Sequence, residues 1–105
     1  MERNGIDRQK LISNMAENLP ALRAQLDLTQ EELAGIIGVS RSTVLSIENR
    51  KRDMTWATFL SLVLLFTKNE ETNKLLNVME IYTDEFHSFI QRPSAEGKEK
   101  KGERT

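Results

Sequence analysis

Thr29-Gln30-Glu31-Glu32-Leu33-Ala34-Gly35-Ile36-Ile37-Gly38-Val39-Ser40-Arg41-Ser42-Thr43-Val44-Leu45-Ser46-Ile47-Glu48-Asn49 is the stretch that decides the fold. It opens on T-x-x-E, a pattern in which the threonine hydroxyl and the glutamate carboxylate can each satisfy a free backbone N–H at a helix start. Leu33, Ala34 and Ile37 then supply one buried face. Gly38 ends that helix, because glycine tolerates the left-handed backbone that helix ends commonly need. Only Gly38-Val39-Ser40 separates it from the next helix, which Ser40 caps and whose inward side is Val44 and Ile47. Two short helices joined by so tight a corner must cross rather than run on.

Working outward, apolar residues recur with helical spacing nearly everywhere, and no segment alternates with period two. Leu11, Ile12, Met15 and Leu19 mark a first helix capped by Asp7. Pro20 suits a first helical turn but not a helix interior, so a kink or break is expected near residues 18–20. A second piece would then run through Leu22 and Leu26. After the decisive stretch, Asn49 leads into a basic loop, Arg50-Lys51-Arg52-Asp53. Thr55 caps a helix from Trp56 to about Thr67, apolar almost all round and therefore expected at the centre of the domain. Leu75, Met79, Tyr82, Phe86 and Phe89 recur at spacings of four, three, four and three, which predicts one long last helix over 70–90. The tail after Pro93 is charged and almost free of apolar residues, and is expected to be disordered.

Composition narrows the function classes. The chain has 105 residues, no cysteine and one histidine. That length suits a single core, and the missing thiols exclude disulfides and thiolate metal sites. The N-terminus lacks the apolar centre of a signal peptide, and the longest near-continuous apolar run, residues 59–66, is far too short for a membrane span. A soluble, cytoplasmic protein is the expectation. The net charge of −1 gives no global attraction to nucleic acid, yet it is unevenly spread. Residues 41–69 carry Arg41, Arg50, Lys51, Arg52 and Lys68 against Glu48 and Asp53, whereas residues 70–90 carry five carboxylates against Lys74. One face is thus able to approach phosphate.

The capped helix, glycine-led corner and second helix make a helix-turn-helix geometry. On a helical wheel centred on Val44 and Ile47, the residues Ser42, Ser46 and Asn49 point outward, flanked by Arg41 and Leu45. Short polar side chains can lie close to base edges, and Arg41 has the reach and paired donors to hold a guanine. The first turn of the Thr29 helix, with Gln30, offers N–H groups to a phosphate.

These residues also carry a resemblance. Residues 19–66, including LTQEELAGIIGVSRSTVLSIENRKR, resemble the Cro/repressor-type helix-turn-helix domain of the XRE family of regulators. The resemblance implies an all-α, lambda-repressor-like five-helix DNA-binding domain, here with an additional long C-terminal helix. It implies that Ser40, Arg41, Ser42 and Ser46 face the bases, joined on the wheel by Asn49. Gln30, with Thr43, would meet phosphate, and Arg50, Lys51 and Arg52 would lie along the backbone of the duplex. It also suggests a structural ion pair between Arg23 and Glu48. Arg50 stands where many members have glycine, which leaves the shape of that turn open.

The chain therefore divides into an N-terminal helix extension (1–18), a DNA-binding domain (19–68), a C-terminal helix available for dimerisation (69–92) and a tail (93–105). Tyr82, Phe86, Phe89 and Ile90 are the dimer-interface candidates, since a helix with aromatic residues so far along it outreaches what a small domain can cover. The expected partner is double-stranded DNA, bound by a homodimer whose half-sites lie about 34–36 Å apart, with repression the simplest outcome. The rival reading is a protein-interaction module, such as an antitoxin or co-regulator, that uses the same fold. An enzyme is not expected: Asp84, His87 and Ser88 share one helix face, but a triad needs groups converging from several elements. No cofactor or metal is expected, since one histidine with nearby carboxylates is a poor ligand set.

Overall fold

A computed structural model describes residues 6–91 of the chain. Among them are six helices and no strand: α1 (Arg8–Gln25), α2 (Gln30–Ile37), α3 (Arg41–Glu48), α4 (Trp56–Lys68), α5 (Glu70–Val78) and α6 (Asp84–Ile90). Among the described residues the fold is all-α. The charged tail expected to be disordered lies outside the described residues.

Local signals place most helix starts. The Asp7 carboxylate accepts from the Lys10 N–H at 3.1 Å. At α2 both halves of the capping box form: Glu32 N–H donates to Thr29 Oγ1 at 3.0 Å, and Thr29 N–H donates to Glu32 Oε1 at 2.9 Å. The hydroxyls of Ser40, Thr55 and Thr83 accept from the N–H three residues on, capping α3, α4 and α6. Such caps are worth about 1 kcal/mol each. They fix where helices begin, while burial fixes how they pack.

One core holds the helices together. Leu11, Ile12, Met15, Ala16, Leu19 and Leu22 of α1 meet Leu33 and Ala34 of α2, Val44 and Ile47 of α3, and Phe59, Leu62, Val63 and Phe66 of α4. Leu76, Ile81 and Phe86 close it from the C-terminal side. Thr72 is the buried polar side chain of this core, and its hydroxyl donates to the Phe66 carbonyl at 2.8 Å, joining α4 to α5.

Three expectations need correction. The helix does not break at residues 18–20: α1 is continuous, with Pro20 inside it. A proline there costs about 3 kcal/mol, through a lost donor and a clash with the preceding turn. Leu19 and Leu22, at 1% and 0% exposure, flank it. Burying the pair is worth about 3–6 kcal/mol, which offsets that cost. The boundary drawn between residues 18 and 19 accordingly falls within one rod.

The single helix over 70–90 is in fact two. α5 stops at Val78, and Glu80 takes a left-handed conformation, φ 58°. The Glu80 and Ile81 N–H groups donate back to the carbonyls of Asn77 and Leu76, at 3.1 and 2.9 Å. Asn14 Nδ2 of α1 donates to the Glu80 carbonyl at 3.0 Å and pins the turn. A straight helix would carry its last apolar turns beyond the core. The reversal instead buries Ile81 and brings Phe86 edge-on to Phe59 and Trp56, with ring centroids at 5.6 and 6.0 Å.

Nor is α4 apolar surface covered on every side. Phe59, Leu62, Val63 and Phe66 are buried, but Leu60 and Leu64 are exposed. At its start, Trp56 stacks on Phe59 at 4.8 Å. The Arg8 guanidinium lies 4.8 Å from the Trp56 ring and 5.7 Å from the Phe89 ring, joining α1, α4 and α6 through a cation–π contact.

Candidate nucleic-acid interface

The interface is built on α2, α3 and the loop after them. Gly38, at φ 80°, turns the chain after α2, and its N–H and that of Val39 both donate to the Ala34 carbonyl. Val39 packs against the core and Ala34 is small and buried, so α2 and α3 approach closely. Val44 and Ile47, each 1% exposed, anchor the inner face of α3. That anchoring leaves Arg41, Ser42 and Asn49 exposed and Ser46 half-buried on the opposite side.

The short polar residues are organised rather than loose. Ser40 Oγ lies 3.1 Å from Ser42 Oγ and 2.9 Å from Thr43 Oγ1, besides capping the helix. Thr43 is half-buried, and its hydroxyl accepts from Arg52 Nη1 at 3.1 Å. The basic loop is thereby tied to the first turn of α3. Arg41 shares an open hollow with Arg23, Thr29, Gln30 and Glu31, at the meeting of α1, α2 and α3.

The turn after α3 keeps a glycine-like shape without glycine. Arg50 adopts φ 61°, its N–H donates to the Ile47 carbonyl at 3.0 Å, and Lys51 N–H donates to the Ser46 carbonyl at 2.8 Å. These are the two bonds of a Schellman ending. A side chain held in that region costs about 1–2 kcal/mol. The Arg50 side chain is steered by a bond from Nη2 to Ser13 Oγ of α1, at 3.0 Å. Lys51 and Arg52 follow it, exposed.

Arg23 and Glu48 form a two-pronged pair. Arg23 Nε donates to Glu48 Oε2 at 2.9 Å and Nη2 to Oε1 at 3.1 Å, with the carboxylate side chain 7% exposed. Arg23 Nη1 also donates to the Leu28 carbonyl at 3.0 Å. Donation to the Glu48 carboxylate raises the Arg23 pKa against the lowering effect of burial, so the guanidinium stays charged.

A family model described as Helix-turn-helix matches residues 21–55, a third of the chain. Residues 21–55 are a helix-turn-helix domain of the XRE, Cro/repressor type. That helix-turn-helix is a DNA-binding domain, and its family is one of regulators rather than of enzymes. No curated protein and no solved structure matches the chain at a significant level.

Around the helix-turn-helix, three side-chain contacts escaped sequence reasoning: Arg50 with Ser13, Arg52 with Thr43, and Gln30 with Glu48, whose Oε1 accepts from Gln30 Nε2 at 2.9 Å. The residue types allow these contacts, but no spacing rule announces them across elements. One of the dimer candidates changes character. Phe86, at 0% exposure, belongs to the chain's own core and is not available to a partner. Phe89 is half-buried beside Arg8, while Tyr82 is half-buried and Ile90 exposed. His87 Nδ1 lies 2.8 Å from the Tyr82 hydroxyl. Among the described residues no group of three His, Asp or Glu side chains is placed to hold a metal ion. No described helix is long and apolar enough to cross a membrane.

Proposed function

We propose that the protein is a sequence-specific transcriptional regulator, acting as a repressor, that places α3 in the major groove of duplex DNA. The observation that carries this reading is the division of α3 into a core-anchored side and an exposed polar side that begins with Arg41. Arg41, Ser42, Ser46 and Asn49 would face base edges, with Ser40 at the corner. Gln30, Thr43, Arg50, Lys51 and Arg52 would meet phosphates. Bidentate contact from Arg41 to guanine would supply much of the base discrimination.

A single α3 of eight residues reads only a few base pairs, so a homodimer on a two-fold related operator is the natural arrangement. Residues 19–68 would bind the duplex and residues 69–92 would contribute to pairing, with Ile90 and the half-buried Tyr82 and Phe89 as the remaining interface candidates. Repression would follow from occupancy of DNA that polymerase needs.

Selection of bound duplexes from a random pool tests the reading, followed by titration with salt. A regulator of this kind recovers a sequence with a two-fold centre. Its affinity for any duplex falls steeply as salt rises, because each neutralised phosphate releases a counterion. Failure to retain any duplex even at low salt would refute it and favour a protein partner instead.

A further inference from the structure

The carboxylate of Glu48 makes one bond more than an ion pair needs. Oε2 accepts from Arg23 Nε, and Oε1 accepts from both Arg23 Nη2 and Gln30 Nε2. Three helices converge there: Arg23 from the last turns of α1, Glu48 from the end of α3, and Gln30 from the first position of α2. With its side chain 7% exposed and three donors upon it, the carboxylate has little freedom to swing. A glutamine amide is planar, so holding one of its N–H groups, with the side chain tethered to the backbone, restricts the directions of the other N–H and of Oε1.

We propose that Glu48 is a positioning residue for DNA binding, holding the Gln30 amide so that its second N–H is presented to a backbone phosphate. This rests on the DNA-binding reading above and adds a task to a pair otherwise purely structural. Gln30 lines the open hollow it shares with Arg41, and the residue is half-buried, so an outward N–H has room to meet an anion. Arg23 neutralises Glu48, so the carboxylate can orient the amide without repelling the phosphate. An unanchored glutamine would have to give up rotamer freedom on binding, whereas an anchored one has already lost it. Because Glu48 belongs to α3, the relay also links the phosphate contact to the register of the reading helix.

The test uses the full-length protein and the duplex recovered by selection, synthesised with one phosphate at a time replaced by a neutral methylphosphonate. In the wild type, several replacements per half-site should weaken binding, the one at the Gln30 phosphate about tenfold, the size of one charge-assisted hydrogen bond. Gln30→Ala should abolish that penalty and so identify the position. Arg23→Met combined with Glu48→Met removes the relay while filling its volume with apolar side chains, a type of swap that is often tolerated. The double variant should lose the same penalty and keep those at other phosphates. Glu48→Gln, which retains an acceptor for Gln30, should restore it. If the double variant keeps the Gln30 penalty, the positioning role is wrong although the DNA reading stands. If the wild type selects no duplex, both fall.

A second measurement covers a double variant that fails to fold. In the free wild-type protein, NMR relaxation of the Gln30 side-chain amide should report an ordered group. Free tumbling of that amide would overturn the relay without reference to DNA.

Discussion

The two ends of the molecule use their exposed positions in opposite ways. Around α3 the outward residues are short hydroxyls, an amide and cations, mostly exposed, with Thr43 tethered to Ser40 and Arg52. Around α6 the large aromatic residues turn inward, with Phe86 enclosed by Trp56, Phe59 and Tyr82. The outward remainder there is largely acidic, including Glu80, Asp84 and Glu85. The reversal after α5 carries Ile81 and Phe86 into the core. What is left outside at the α3 end is what a polyanion would meet.

The contrast can be broken most sharply at Phe86. Phe86→Ala should destabilise the protein by about 3–5 kcal/mol in urea unfolding, the range for emptying a fully buried aromatic site. Sedimentation at equal folded fraction should show no change in assembly. A stable variant that dissociates into monomers would instead return Phe86 to a subunit interface. At the opposite end, Arg41→Ala should leave stability within about 0.5 kcal/mol, since the side chain is exposed. It should weaken binding to the selected duplex by about 1–3 kcal/mol and relax base choice at one position per half-site. An unaltered profile in a base-substitution scan would remove Arg41 from the reading surface.

Arg50→Gly separates shape from charge. Relief of a left-handed side chain should raise unfolding free energy by up to about 1 kcal/mol, while the lost cation should reduce affinity for all sequences and flatten the salt dependence. A destabilised variant would mean that the bond to Ser13 outweighs the backbone penalty. The smallest effect is expected at Glu31, an exposed carboxylate in the hollow with Arg41 and Gln30. Glu31→Gln should strengthen duplex binding by a few tenths of a kcal/mol, a gain that salt should erase. No gain at low salt would place the phosphate path away from the start of α2.

Much of the α3 end was legible because its signals are local. The Thr29–Glu32 box, the left-handed Gly38 and the Ser40 cap each sit within a few residues of the bonds they make. The C-terminal half was harder, for a physical reason. Residues 75, 79, 82, 86 and 89 keep helical spacing across a turn with no glycine or proline, because α5 and α6 each show apolar side chains to the same core. A signal was present in Thr83-Asp84-Glu85, a capping residue followed by two acids, which marks a fresh helix start. Pro20 misled in the other direction, since a local rule predicted a break that the buried stripe on both sides of it overrides. The bond between Gln30 and Glu48 joins residues eighteen apart on different helices, and no periodicity reaches that far.

Trp56 is the sole tryptophan of the chain, four residues beyond Arg52 and fixed between the Phe59 ring and the Arg8 guanidinium. Its indole is therefore a built-in optical label at the junction of α1, α4 and α6. Excitation of this one chromophore allows loosening of the C-terminal closure to be followed without a dye, while its nearness to the cationic segment makes the same emission a candidate signal for duplex docking.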